Sequence, residues 1–400
     1  MKRILYFLMV SVLWGGCKDE GKFIYIDDSS PAPAQVTDVT VRNTPGGAVL
    51  YYKVPDDQNL LYVQAVYEIQ PGVQRECKSS YYKDSLVLEG FGDTRSYDVK
   101  LYSVGKNEKA SEPLTVQVNP SLGPVHLANK QLRDAFGGVS VSIENPERAS
   151  LAIVLMGDTA KVGYQSYMET FYTSAERASF AFRGLDTIQG NFSVYLRDRW
   201  NNLSDTIYAS LTPMYEELIP KNTWQEVRLP TDSWDPLEGL AQYSMSRIWD
   251  NITTDPYQMF ATKADAPMPH WITWDLGQTI VMSRLRYYHR RTMEFQRSNV
   301  KKFEIYGSMN PNTDGSWDES WIPLGKFEYD KPSSGTTITA DDIALALAGI
   351  DFDLENNEFA PDPFVPVRYI RFKTLETFNG PQIVGSSWIT EITFWGQLIK

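Results

Sequence analysis

The side chains that most often carry out chemistry are sparse in this sequence. It has 2 cysteines and 3 histidines, and His126, His270 and His289 lie far apart along the chain. A zinc site built from Cys or His needs several such ligands at short spacing. Any metal chemistry is therefore expected to use calcium, which takes oxygen ligands.

The short motifs of common catalytic sites are also absent. The sequence contains no G-x-S-x-G nucleophile elbow, no H-E-x-x-H pair and no phosphate-binding P-loop. Adjacent acids such as Asp341-Asp342 and Glu216-Glu217 are expected by chance among 50 acidic residues. We therefore predict that the protein is not an enzyme. A glycoside hydrolase, which needs two carboxylates facing each other across a cleft, is the least favoured alternative.

The composition favours a folded, acidic protein. Of 400 residues, 42% are hydrophobic and 22% are charged, which is enough for two or three domains with buried cores. The formal net charge of −12 argues against nucleic acid as a partner and against direct binding to an anionic membrane surface. Aromatic residues reach 13% and include 11 tryptophans, and this aromatic surplus is the unusual feature of the composition.

The first residues resemble the signal peptide and lipobox of a bacterial lipoprotein. Basic residues precede an apolar run over 4–13, and small residues stand directly before Cys17. The resemblance implies a signal peptide over 1–16, lipidation of Cys17 and a tether over 17–34. Lys18-Asp19-Glu20 resembles the tag that sends such lipoproteins to the outer face of the outer membrane. The alternative is a signal peptide in which Cys17 is incidental.

Residues 35–121 alternate apolar and polar side chains, which is typical of antiparallel strands with one exposed face. Turn residues such as Pro71-Gly72 separate the alternating runs. The segment resembles a fibronectin type III domain in Thr44-Pro45-Gly46-Gly47 and in the tyrosine-bearing stretch Tyr97–Val104. A seven-stranded β-sandwich is expected here.

Residues 122–215 repeat this pattern. Gly46-Gly47-Ala48-Val49 is echoed by Gly137-Gly138-Val139-Ser140, and Val99–Tyr102 by Val194–Arg197. A repeat of about ninety residues predicts an internal duplication. We expect a second sandwich of the fibronectin type III or immunoglobulin-like kind, and the two modules are expected to serve as a stalk.

Residues 216–400 hold nine of the 11 tryptophans. Strand-like runs recur there at 270–275, 280–288, 300–306, 368–372 and 388–394, and one short helix is expected over 340–347. This segment is predicted to be a third sandwich. The expected fold class is therefore all-β, with three β-sandwiches in series.

Several motifs of the third segment follow one another in a recognisable order. They are Ser246–Thr262, His270–Gly277, Phe303–Ser308, Trp321 with Leu324-Gly325, Val367–Phe372 and Ile389–Phe394. In this order they resemble the discoidin, or coagulation factor V/VIII type C, fold shared by family 32 carbohydrate-binding modules. The resemblance implies a jelly roll of the galactose-binding kind. The three-part arrangement resembles surface lipoproteins of Bacteroides-type bacteria.

The resemblance to discoidin domains also implies a structural calcium ion. The implied ligands are Asp250, Thr253, Asp255 and Glu391, whose oxygens suit a hard cation. Asn251 stands where the family loop has glycine, and extra residues precede Asp255. The alternative is that these side chains are ordinary solvated loop residues.

Sugar-binding discoidin domains hold their ligand with loops at the calcium end. Aromatic faces stack on the sugar ring, while Arg, His, Asn or Asp side chains bind its hydroxyl groups. The candidates at the corresponding positions are Trp249, Tyr257, His289, Arg290, Arg291, Phe378, Asn379 and Gln382. Trp271, Trp274 and Trp395 alternate along strands and are better explained as core or sheet residues. For Arg290 and Arg291, pairing with nearby acids is an equal alternative.

The sequence as a whole predicts a non-catalytic, surface-exposed lipoprotein of the outer membrane that binds glycan through its third domain. The expected partners are a polysaccharide and the components of an outer-membrane glycan importer, with the membrane contacted only through the lipid anchor. The alternative is a protein-binding or adhesion role, since discoidin domains also bind proteins and lipids. No organic cofactor is expected.

Overall fold

The computed structural model describes residues 28–158, 163, 165–233 and 240–399. The predicted signal peptide, Cys17 and most of the predicted tether lie outside these residues, as does Trp234. The regular secondary structure of the described chain is almost wholly β-strand, arranged in several separate sheets. The prediction of an all-β chain of sandwich domains is confirmed.

The first sandwich contains seven strands that form two sheets. One sheet has the order β1-β2-β5 and the other the order β4-β3-β6-β7. The bounds are β1 Thr37–Thr44, β2 Gly47–Lys53, β3 Leu60–Gln70, β4 Val73–Ser80, β5 Ser85–Glu89, β6 Tyr97–Gly105 and β7 Leu114–Val118. A four-residue helix, Pro124–Leu127, follows.

Alternate residues of these strands face a common core. Leu50, Val63, Leu88 and Val99 are fully buried between the two sheets. Tyr97 is buried at the start of β6 and donates its hydroxyl to Asp93 Oδ1 over 2.8 Å. This local bond between a strand-initial tyrosine and the preceding turn agrees with the tyrosine-bearing strand inferred from the sequence.

The second sandwich repeats the strand order of the first. Its sheets are β8-β9-β12 and β11-β10-β13-β14, so the first, second and fifth strands pair in both sandwiches. The bounds are β8 Asn129–Ala135, β9 Gly138–Glu144, β10 Leu151–Asp158, β11 Ser166–Thr173, β12 Arg177–Arg183, β13 Gly190–Arg197 and β14 Ile207–Leu211. The shared order supports the internal duplication inferred from sequence.

The third domain is built on one eight-stranded sheet with the order β15-β24-β18-β22-β19-β20, in which β16 and β21 also pair with β18. A two-stranded sheet joins β17 to β23. The bounds are β15 Glu217–Leu218, β16 Gln225–Val227, β17 Phe260–Ala261, β18 His270–Tyr288, β19 Val300–Ser308, β20 Ile322–Glu328, β21 Ile350–Asp353, β22 Val367–Thr377, β23 Trp388–Ile389 and β24 Glu391–Leu398.

Aromatic and aliphatic side chains fill the core of this third domain. Trp274 is fully buried, as its alternation along a strand predicts, and stacks on Phe394 with 6.2 Å between ring centroids. Trp224 is also buried and packs edge-on against Trp249. The tryptophan surplus is therefore explained in part by the core.

Short helices complete the third domain. The 3₁₀ helices Ala241–Tyr243 and Met245–Trp249 precede the loop that carries Asp250. One α-helix spans Ala340–Ala348, one residue longer than expected, and Thr339 caps it. Among the described residues we find no helix with the length and apolar character needed to span a lipid bilayer.

The described residues fall into two compact units. The first comprises the chain up to Leu127 together with Arg199–Leu203, and the second comprises the remainder. The second sandwich and the third domain therefore belong to one unit. Within it, Arg183 of β12 forms ion pairs with Glu216, Asp353 and Glu355, at 3.2, 3.3 and 3.4 Å.

Candidate functional site

Three loops of the third domain that are far apart in the sequence meet at one place. The loops are 250–258, 289–299 and 378–387. Arg290 Nε donates to the carbonyl oxygen of Pro256 over 3.0 Å, and Arg291 Nη1 donates to that of Thr254 over 3.3 Å. The Phe378 N–H donates to the Asn299 carbonyl over 3.0 Å, and the Trp388 N–H, directly after the third loop, donates to the Ser298 carbonyl over 2.8 Å. Side-chain and backbone hydrogen bonds thus tie the first loop to the second and the second to the third.

Several of the side chains predicted to contact a ligand lie on this group of loops. Tyr257 is 70% exposed, and Asn379 and Gln382 are also exposed. The Arg290 guanidinium lies 4.5 Å from the centroid of the half-buried Trp388 ring. We call the following side chains the loop surface: Tyr257, Arg290, Arg291, Asn379, Gln382 and Trp388.

His289, in contrast, is a buried structural residue. Only 3% of it is exposed, and both ring nitrogens are used. The Phe295 N–H donates to Nδ1 over 2.8 Å, and Nε2 lies 2.7 Å from the Tyr329 hydroxyl. Burial lowers the pKa of His289 to about 3, so the ring is neutral at physiological pH. The expectation that His289 touches a ligand is corrected here, because its ring does not reach solvent.

Phe378 and Trp249 also serve packing. Phe378 is half-buried and packs against His289 and Phe295, with centroids 5.6 and 5.7 Å away. Trp249 packs against the core at Trp224 and Trp274 rather than projecting with Tyr257. Both rings support the loops from beneath, although Trp249 also lines a groove.

The residues implied to hold calcium have other partners. Glu391 is buried, and its Oε1 accepts a bond from the Lys221 ammonium while Oε2 accepts the Asn251 N–H over 2.9 Å. Lys221 also donates to Thr393 Oγ1 over 2.8 Å. Burial raises the pKa of Glu391 to about 7 and lowers the pKa of Lys221. Together the two side chains form a buried ion pair.

The two loop aspartates are likewise bound within the protein. Asp250 accepts bonds from Arg247 Nη1 and the Ile252 N–H, at 2.9 and 2.8 Å. Asp255 accepts the Tyr257 N–H over 2.8 Å and Gln258 Nε2 over 2.7 Å, and the first of these bonds lowers the pKa of Asp255. Thr253 is half-buried on the same loop.

This donor set does not fit a calcium ion. Calcium needs about six to eight oxygen ligands converging on one point. The described part of the chain contains no group of three or more His, Cys, Asp or Glu side chains placed to hold a metal. An ammonium group stands against Glu391, the carboxylate that the ion would use.

A groove of about 570 Å³ lies beside the loop surface. It crosses β15, β18 and β24, and we call it the strand groove. Its aromatic and basic lining residues are Trp249, Tyr288, Trp395, Arg286 and Lys221. The guanidinium of Arg284 lies 4.1 Å from the Trp395 ring centroid. Trp395 was expected to be a sheet residue and it is one, but it also borders this groove.

A second cavity, of about 370 Å³, lies over the sheet β8-β9-β12. Apart from Ile143, the side chains that line it are polar or small, and no aromatic ring is among them. It lacks the flat apolar surface on which a sugar ring stacks. The loop surface and the strand groove therefore match the chemistry of sugar recognition better than this cavity does.

Sequence reasoning missed Trp388, Trp395 and Lys221. Trp388 and Trp395 lie on short or alternating strand segments, where a core position is the simpler assignment. Lys221 is 170 residues from its partner Glu391 and belongs to no motif. It is a single lysine between the short strands β15 and β16, a feature too common to be informative.

Three family models match separate stretches of this chain. Residues 33–120, 123–222 and 249–396 match three families, each described as a domain of unknown function (DUF4959, DUF5126 and DUF5000). The curated proteins include no match.

Solved structures with similarity include a SusE-like protein, at 26% identity and a TM-score of 0.44, covering 69% of this chain and 100% of that one. CBM32-3 from a family 31 glycoside hydrolase of Clostridium perfringens is 16% identical, with a TM-score of 0.31, covering 45% of this chain and 95% of that module. A family 89 glycoside hydrolase of the same organism is also 16% identical, with a TM-score of 0.28. The match covers 45% of this chain and only 14% of that enzyme.

Proposed function

We propose that this protein is a non-catalytic glycan-binding lipoprotein of the cell surface, with the loop surface of its third domain as the binding site. Cys17 carries the lipid anchor, and the two fibronectin-like sandwiches form the stalk. The captured polysaccharide passes to an outer-membrane importer. The observation that carries the proposal is the convergence of three sequence-distant loops, the first of which carries the exposed Tyr257 ring.

The chemistry of the loop surface supports this proposal. A sugar ring presents C–H groups on one face, which pack on an aromatic ring, and hydroxyl groups at its rim. Tyr257 offers the ring, and the exposed amides of Asn379 and Gln382 offer both donors and acceptors. A guanidinium has five N–H donors, and the bond from Arg291 to Thr254 occupies one of them. Binding sites commonly combine apolar surface with a few such polar groups.

Affinity electrophoresis and isothermal titration of the purified chain against a polysaccharide panel test the proposal. Tyr257→Ala is expected to weaken binding by about tenfold, or about 1.4 kcal/mol. Tyr172→Ala is the matched control, because Tyr172 is 71% exposed but lies on the second sandwich. Absence of binding to every polysaccharide would contradict the proposal. Loss of binding in Trp395→Ala, with Tyr257→Ala unchanged, would move the site to the strand groove.

Exposed aliphatic side chains on the same loops favour protein binding as the second candidate function. Ile383 is 87% exposed and Val384 is 50% exposed, next to Gln382. Such side chains contribute to protein interfaces more than to sugar contacts. A protein partner that stays bound in excess polysaccharide, but does not bind the Ile383→Ser variant, would favour this second candidate.

A further inference from the structure

The cation beside Glu391 is a side chain of the protein, the Lys221 ammonium. The Lys221 side chain is 8% exposed and that of Glu391 is 2% exposed, so both charges are removed from water. Isolated buried charges are costly, whereas a paired and hydrogen-bonded set is tolerated. The additional bond from Lys221 to Thr393 Oγ1, and that from the Asn251 N–H to Glu391, supply this compensation.

The backbone at Asn251 connects this ion pair to the loop surface. Asn251 has φ +62°, in the left-handed region that glycine favours and that Asn tolerates better than most residues. Its N–H is the group that Glu391 Oε2 accepts. The Glu391 carboxylate therefore fixes the start of the loop that carries Tyr257, and the Lys221 ammonium in turn binds this carboxylate.

We propose that the Lys221 ammonium serves as an internal cation in place of the structural calcium ion that the resemblance to discoidin domains implies. Through Glu391, this ammonium also positions the 250–258 loop. A single positive charge on a tethered side chain neutralises the buried carboxylate without a bound ion. The domain consequently folds and keeps this loop in place without calcium. The consequence for ligand binding rests on the proposed function, whereas the metal independence does not.

Calcium titration of the unmodified protein is the first test. Differential scanning calorimetry in CaCl₂ and in EDTA is expected to give the same Tm for the unit that contains the third domain, and calorimetric titration with CaCl₂ to show no saturable uptake. Saturable uptake, or a fall in Tm in EDTA, would overturn the proposal. Neither readout depends on glycan binding, so failure here is distinct from failure of the proposed function.

Variants of the ion pair are the second test. Lys221→Met should lower the Tm because it leaves a buried carboxylate unpaired. Lys130→Met is the matched control, since the Lys130 side chain is 5% exposed but its partner Asp205 is 80% exposed. Adding Glu391→Gln to Lys221→Met should restore part of the lost Tm, because neither charge then remains. Equal losses in Lys221→Met and Lys130→Met, or no recovery in the double variant, would contradict the role of the pair.

Hydrogen exchange tests the positioning role and remains informative if Lys221→Met does not fold. In the unmodified protein the Asn251 N–H is expected to exchange slowly, and in Glu391→Gln a peptide spanning 249–258 should exchange faster. A peptide spanning the β10 strand serves as the internal reference. Equal exchange of the 249–258 peptide in both proteins would show that Glu391 does not hold the loop.

Discussion

His289 lies beneath the loop surface, among the rings of Tyr287, Phe295, Tyr329 and Phe378. Its two nitrogens link the Phe295 backbone to the Tyr329 hydroxyl, which in turn donates to the Val300 carbonyl over 2.6 Å. Its position on a loop suggested ligand contact, but burial assigns it a supporting role. Burial therefore separates the supporting side chains of this site from those available to a ligand.

The buried histidine should make stability depend on pH. The pKa of His289 is about 3 in the folded protein and about 6.5 in the unfolded chain, so the unfolded chain binds the proton first as the pH falls. The contribution of His289 to stability is therefore full above about pH 6.5 and declines toward pH 3, by about 2 kcal/mol at pH 5. Burial also lowers the pKa of His270, to about 4, which adds to the same trend. The raised pKa values of Glu355 and Glu391 act in the opposite direction.

Urea denaturation at pH 7 and pH 5, followed by tryptophan fluorescence, checks this prediction. His289→Gln should be less stable than the unmodified protein at pH 7 but should lose less stability between the two pH values. His126→Gln, in the short helix Pro124–Leu127, is the control. The prediction is wrong if His289→Gln and the unmodified protein show the same pH dependence.

At the scale of elements, strands with alternating burial were predicted well, and one edge strand of the first sandwich was not. β4 was not located from its sequence because its side chains are mostly exposed and show no alternation. β18 was expected as two strands but is one strand of 19 residues. Its pairing with β22 is irregular between Asp275 and Ile280, where Gly277 has φ +68°. From the sequence alone this bulge is read as a turn between two strands, because glycine is common in both bulges and turns.

The helix Ala340–Ala348 depends on the residue that caps its N-terminus. Thr339 Oγ1 accepts the Asp342 N–H over 3.2 Å, and Asp342 Oδ2 accepts the Thr339 N–H over 2.8 Å, which forms a capping box. Thr339→Ala should destabilise the helix by about 1 kcal/mol. Hydrogen exchange of the 340–348 peptide measures the loss, and Thr337→Ala, at an exposed position outside the helix, should cause none. Equal exchange in both variants would contradict the capping role.

At the scale of the whole molecule, charged side chains join the second sandwich to the third domain within one compact unit. Glu216 accepts bonds from Arg183 Nη1 and Arg284 Nη2 at 3.2 and 3.1 Å. Burial raises the pKa of Glu355 to about 7, and the nearby Arg183 opposes this shift. The cluster of Arg183, Arg284, Glu216 and Glu355 is nearly enclosed, so each charge depends on the others for compensation.

Removing Arg183 should therefore destabilise the whole second unit. Arg183→Ala leaves Glu216 and Glu355 buried near fewer cations, and breaking a buried pair costs about 3–5 kcal/mol. Calorimetry should show a lower Tm for this unit. Arg148→Ala is the control, because Arg148 and Glu176 form an exposed pair with side chains 69% and 56% exposed, worth under about 1 kcal/mol. Similar losses in the two variants would contradict the interpretation.

The sequence by itself determined the all-β class, the repeat of two sandwiches and the positions of the loops that carry Tyr257, Arg290 and Asn379. These features depend on local patterns, since side-chain alternation and turn residues act over a few neighbours. Only the tertiary structure decided that His289 is buried, that Trp388 underlies Arg290, and that Lys221 neutralises Glu391. Those roles depend on contacts between residues far apart in the chain, and whether a polar side chain meets water, an ion or another side chain is set by what packs around it.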